Sequence, residues 1–210
     1  MISADRAEQV FQRAGRQRVI VLGDMVLDDH IVGSTNAMAR EAPVPVVEMQ
    51  THYAVPGGGT NVAANLRALG CDVCVAGVVG NDAAGRCLRV QLEERAIKTA
   101  GLVVDGSRQT SVKLRIWVEE ESRVHPRMMA RVDTVERHDL DGASASALVT
   151  YLEQELPETS LLLISDYENG VMAPNVLNAA LCLARANHVR VAVDAHGRLA
   201  RFKGALVVTP

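Results

Sequence analysis

The chain has 210 residues, of which 48% are hydrophobic, 22% charged and only 3% aromatic, with a formal net charge of −3. That length suits one large domain, and the mild acidity without a basic block argues against a nucleic-acid backbone as partner. No run reaches the roughly 18 apolar residues of a membrane span, and the charged N-terminus is no apolar signal, so a cytoplasmic protein is expected.

In chain order, "ADRAEQVFQRA" predicts a helix with Ala7, Val10, Phe11 and Ala14 on one face. "RVIVLGD" follows as a short apolar strand ending in Gly-Asp. "DDHIVGS" and "VPVVEMQTHY" are extended, with Pro43 and Pro45 between them, which suits an edge or a flap rather than a central strand. "NVAANLRALG" is helical, with Gly70 as its stop. "DVCVAGVVG" reads as a buried strand and "DAAGRCLRVQLEERA" as a helix. A second extended pair follows, "TSVKLRIWVEEE" and "RMMARVD". Helix "DLDGASASALVTYLEQEL", strand "SLLLISD", helix "PNVLNAALCLARANH", strand "VRVAVDAHG" and strand "GALVVTP" complete the chain. Short strands alternating with helices of about a dozen residues imply βαβ units and a doubly wound, mainly parallel sheet with helices on both faces. The two extended pairs break that rhythm, and their polar alternation predicts a small β-flap at the sheet's carboxyl edge.

Cys71 and Cys74 form a C-x-x-C, but no second pair or nearby His pair completes a metal site. Small buried thiols are the simpler expectation. No metal ligand set is predicted from the residues.

Ligands of open α/β sheets bind outside the carboxyl ends of the strands, where acidic residues recur here. The first strand ends in Asp24, with Asp28 four residues on; "LLLISD" ends in Asp166 and "VRVAVD" in Asp194. Each is separately explicable as a cap or turn residue, whereas together they favour a shared cleft. Carboxylates suit sugar hydroxyls and Mg²⁺, not direct contact with phosphate. Beside them stands "VPGGGTNVAANLRALG". It is neither a Walker A loop nor a G-x-G-x-x-G fingerprint, which removes a nucleotide-binding oxidoreductase from consideration. A bare glycine turn and a ligand-approaching turn both remain open. Asn61 favours the second, since its amide offers donors and an acceptor at a helix start.

The spacing Gly57, Gly58, Gly59, Asn61, Ala63, Gly70, Gly80 resembles the N-terminal signature of the ribokinase/PfkB family of sugar kinases. Within it, "VLGDMVLDDHIVG", "REAPVPVVEMQ", "PGGGTNVAANLRALG" and "ISDYENGV" look most like the bacterial heptose-7-phosphate kinases of ADP-heptose synthesis, from about Arg18 to Pro210. The resemblance implies that residues 1–210 are the N-terminal portion of a ribokinase-like kinase domain, with lid segments near residues 27–51 and 110–132 and a homodimer made through paired lids. It implies ATP and Mg²⁺ as cofactors and a sugar phosphate as substrate. Asp24, Asp28, Gly57, Gly58 and Asn61 would hold sugar hydroxyls, Lys113 and Arg131 would meet the substrate phosphate, and Asp166 and Asp194 would face the phosphate and magnesium region.

The chain also departs from that pattern. Asn169 stands where these kinases usually carry lysine, Ala195-His196 where they have Pro-Lys, and Ala37 and Arg40 where Arg and Pro are expected. Phosphoryl transfer depends on positioned positive charge, so the loss of two cations should weaken catalysis. The family's Gly-Ala-Gly-Asp segment, source of the anion hole and the base Asp, does not occur in the 210 residues; the catalytic base is expected beyond Pro210. A kinase whose 210 residues are inactive alone is therefore the expectation. A non-catalytic sugar-binding or regulatory homologue is the alternative.

Overall fold

A computed structural model describes residues 3–119 and 125–210. Its elements are α1 (Ala4–Ala14), β1 (Arg18–Gly23), β2 (Met25–Met38), β3 (Pro45–Gly57), α2 (Gly58–Ala68), β4 (Asp72–Gly80), α3 (Ala83–Glu94), β5 (Lys98–Asp105), β6 (Ser111–Val118), β7 (Arg127–Thr134), α4 (Gly142–Glu155), β8 (Leu161–Asp166), α5 (Pro174–Ala186), β9 (Arg190–Ala195) and β10 (Val207–Thr209). Six strands form a parallel sheet in the order β10-β9-β8-β1-β4-β5.

Successive side chains of a strand point to opposite faces, and here both faces are covered. Ile20 and Leu22 of β1, Cys74, Ala76 and Val78 of β4, and Leu162 and Ile164 of β8 pack with Ala145, Leu148 and Leu152 of α4 and Val176, Leu177 and Ala180 of α5. On the other face Val19, Val21, Val73, Val75 and Val79 pack with Ala63 of α2 and Leu88 and Leu92 of α3. The aliphatic composition thus fills a core buried on both sides of the sheet. Cys71 and Cys74 are unpaired and buried in it.

The two extended pairs join into one smaller sheet, β3-β2-β6-β7, in which β2 pairs β3 and β6 pairs β7 antiparallel while β2 and β6 run parallel. Pro45 begins the edge strand β3. Leu27, Ala54 and Val112 root this sheet in the core beneath α2 and α3. The expected extension of the third strand into Glu120 and Glu121 lies outside the described residues.

Two expectations need correction, while α1 forms as predicted. β5 has no counterpart in the periodicity: Gly101 interrupts its apolar run, and it gains strand geometry by pairing β4 at the sheet's edge. α2 starts at Gly58, so the glycines form its first turn instead of preceding it. The apolar stripe of α1 covers little, with Val10 49% and Phe11 54% exposed; Ala14 is the member of the stripe packed against the core. No helix among the described residues is long and apolar enough to cross a membrane.

Candidate active site

Asp24 stands where the chain leaves β1 for β2 and is 1% exposed. Its N–H donates to the Ser165 carbonyl at 3.0 Å, and its carbonyl accepts the Gly59 N–H at 3.0 Å. Its carboxylate Oδ2 accepts the backbone N–H groups of Tyr167 at 2.6 Å and Asn169 at 3.2 Å. Burial pushes this carboxyl up to about 6, helped by the charge of Asp166 and opposed by the two amide bonds. Asp24 thus joins β1, the start of α2 and the loop after β8.

The glycine cluster closes against the same corner. A Cβ on Gly57 would lie 2.5 Å from Asp28 Cγ, and one on Gly58, held at φ +51, would lie 2.7 Å from Val26 Cγ2. What approaches these glycines within the fold is β2 itself, including the Asp28 carboxylate. Thr60 fastens the turn by donating to the carbonyls of Val26 and Gly57 at 3.0 and 2.6 Å. Asn61 lies on the exposed side of the first turn of α2.

Asp28 Oδ1 and Arg115 Nη1 form an ion pair at 2.8 Å, both side chains being half-buried. Arg115 escaped sequence reasoning, although the two-residue period of β6 places it on the same face as Lys113. Lys113 Nζ lies 4.5 Å from the centroid of the Tyr167 ring, whose other neighbour is the tilted His196 ring at 4.5 Å. Burial raises the Tyr167 phenol above its ordinary value, and the carboxylates of Asp194, Asp28 and Asp24 add to the rise. Farther along the smaller sheet, His30 stacks on Tyr53 at 4.8 Å, and the Trp117 ring lies beside it, nearly parallel, at 6.3 Å. Trp117 Nε1–H donates to His30 Nδ1 at 3.0 Å; burial, then the Arg115 charge, lowers the His30 pKa.

Arg131, on β7, is the cross-strand partner of Arg115 and shares its face of the smaller sheet. Its guanidinium is engaged by Asp133 on its own strand, at 2.9 and 3.1 Å, and is exposed. Asp166 ends β8 at 2% exposure, with Oδ1 accepting the Glu168 N–H at 2.9 Å and Oδ2 lying 3.5 Å from Arg201 Nη1. A cavity of about 120 Å³ adjoins it, lined in part by Arg137, Glu168, Arg198 and Arg201. Three arginines, one from the segment after β7 and two from the segment after β9, therefore gather beside Asp166. Asp194, half-buried on β9, is in register with Ser165. Among the described residues no group of three or more His, Cys, Asp or Glu side chains is arranged to hold a metal ion. Asp166 and Asp194 nevertheless offer hard carboxylate oxygens of the kind Mg²⁺ prefers.

A sequence profile described as "pfkB family carbohydrate kinase" matches residues 16–197. "Bifunctional protein HldE" of Citrifermentans bemidjiense is 35% identical over 204 residues, covering 97% of this chain and 41% of that protein. The protein of the same description from Caulobacter vibrioides is 39% identical over 193 residues, covering 91% of this chain and 38% of that one. The chain spans about two fifths of the length of these curated relatives. A solved carbohydrate kinase from Agrobacterium tumefaciens superposes with a TM-score of 0.63 at 19% identity, covering 88% of this chain and 55% of that one. Arabidopsis thaliana ribokinase complexed with ribose and ATP gives 0.58 at 13% identity, covering 86% and 54%. These two likenesses are of fold.

Proposed function

The chain belongs to the pfkB family of carbohydrate kinases, and on that premise we propose that it supplies the sugar side of an ATP-dependent kinase acting on a sugar phosphate, heptose 7-phosphate before others. In the proposed reaction the anomeric hydroxyl attacks the γ-phosphorus of ATP in line, giving a 1,7-bisphosphate and ADP for ADP-heptose synthesis in the cytoplasm. The observation that carries this reading is the convergence of Asp28, the glycine turn and Lys113 at one edge of the parallel sheet.

Asp28 and Asn61 would receive hydroxyls, with Gly57 and Gly58 keeping side chains out of the turn. Lys113 would meet the substrate phosphate, with Arg131 able to join only by leaving Asp133. Asp166 and Asp194 would face magnesium and the nucleotide phosphates, beside the arginines of the adjoining cavity. ATP, when bound, supplies the transferable phosphoryl group. The smaller sheet would act as a lid, and pairing of two such sheets in a dimer would cover Val46, Met49 and Val132, which are 41%, 61% and 52% exposed.

Asn169 and His196, standing where lysines are expected, favour the second reading, a sugar-binding protein without catalysis. Calorimetry with heptose 7-phosphate and fructose 6-phosphate, run beside a coupled ADP-release assay, tests both. Saturable sugar-phosphate binding with little or no turnover by these 210 residues is expected. Failure of either sugar phosphate to bind would refute the sugar site, and brisk turnover would refute the expected inactivity.

A further inference from the structure

We propose that Asp24 is a positioning residue and not a sugar ligand: its carboxylate holds the loop after β8 so that the Tyr167 ring is clamped between the smaller sheet and the loop after β9. The inference rests on the sugar-site reading above for its binding test, though not for its geometry.

The family resemblance implies that Asp24 and Asp28 both hold sugar hydroxyls, but the two carboxylates differ in surroundings. Asp28 sits at the turn, half-buried and paired with Arg115 Nη1 of the smaller sheet at 2.8 Å. Asp24 is 1% exposed and turned inward onto the amides of Tyr167 and Asn169, residues 143 and 145 positions away. Asp24 Oδ2 thus takes alternate amides of the loop, while the N–H of Glu168 between them donates to Asp166 Oδ1 at 2.9 Å. The loop it fixes carries Tyr167, whose ring takes Lys113 of the smaller sheet at 4.5 Å and His196 of the loop after β9 at 4.5 Å. Asn169 in turn directs its amide toward Ser111 Oγ, at 3.5 Å, where the smaller sheet's β6 begins. One buried carboxylate therefore sets the relative placement of the residues proposed to meet the sugar phosphate and those proposed to meet the nucleotide.

Asn in place of Asp keeps the shape and one acceptor but loses the charge, and charge-assisted hydrogen bonds are roughly twice as strong as neutral ones. Asp24→Asn should weaken fructose 6-phosphate or heptose 7-phosphate binding about tenfold, the equivalent of one such strengthened bond. Tyr167→Leu should do the same, and the double variant should be no weaker than the weaker single variant, within about twofold, because both changes break one chain of contacts. Multiplying effects would mean that Asp24 touches the sugar separately, and would overturn the proposal. A second measurement needs no sugar. Asp24→Asn should shift the His196 ring-proton NMR signals, as the Tyr167 ring current moves, without loss of folded structure. Unchanged His196 signals would overturn the proposal even if neither sugar phosphate bound the wild type, a result that would refute only the sugar-site reading.

Discussion

A carboxylate buried to this degree should leave a mark on stability, and Asp24→Asn exposes it. The pKa of Asp24 rises from an ordinary 3.8 to about 6, so the folded protein binds the proton more tightly than the unfolded chain. Between pH 4 and pH 6 the native state therefore carries the extra proton, and stability falls as pH rises through that window, then levels off. At about 1.4 kcal/mol per pH unit, ionised Asp24 costs roughly 3 kcal/mol at pH 7 relative to its protonated form. Asparagine resembles the protonated form and does not titrate. Asp24→Asn should thus leave stability nearly unchanged below pH 3.8, and by pH 7 the variant should be more stable than wild type, by at most roughly 3 kcal/mol. Urea unfolding of both proteins at pH 5, 6, 7 and 8 reads the difference directly, and the common titration of other carboxylates cancels in the comparison. A difference constant from pH 5 to 8, or a variant less stable at pH 8, would refute the reasoning. Greater stability combined with weaker sugar binding would mark a residue kept for its site.

Two further outcomes follow from local geometry. Gly58→Ala forces a Cβ into a left-handed residue at φ +51 and against Val26 Cγ2 at 2.7 Å. It should cost about 2–4 kcal/mol in urea unfolding from backbone strain and overpacking, whereas Gly106→Ala, with nothing within 4 Å, should stay within about 0.5 kcal/mol; equal effects would contradict the steric account. Trp117, the single tryptophan, donates to His30 Nδ1, an acceptor that protonation removes. Its emission should change with a midpoint below pH 6.5, since burial lowers the His30 pKa, and His30→Phe should abolish the step; a midpoint above pH 6.5 would contradict the assignment.

Sequence patterning makes the central sheet legible because hydrophobic period and length decide it locally. "RVIVLG", "DVCVAGVVG" and "LLLISD" can be buried only as strands covered on both faces, and the aliphatic helices between them impose the parallel order. β5 escaped because its identity comes from its partner: Gly101 accepts a strand conformation where β4 offers a ladder. α1 shows the converse, a periodic stripe that is a helix without being core.

At the site, the chain alone determines which chemistries are at hand: carboxylates at strand ends, a glycine turn of family spacing, and lysine and arginine on extended segments. These are properties of residue type and separation. Which of them act together is a matter of tertiary structure, since contacts between residues more than a hundred positions apart depend on how layers pack. The fold turns Asp24 inward onto Tyr167 and Asn169 and binds Arg131 to Asp133. It presents Arg115 to Asp28 and gathers Arg137, Arg198 and Arg201 near Asp166. The physical reason is direction: spacing along the chain determines where a Cα can lie, while burial and hydrogen-bond partners decide where its side chain points.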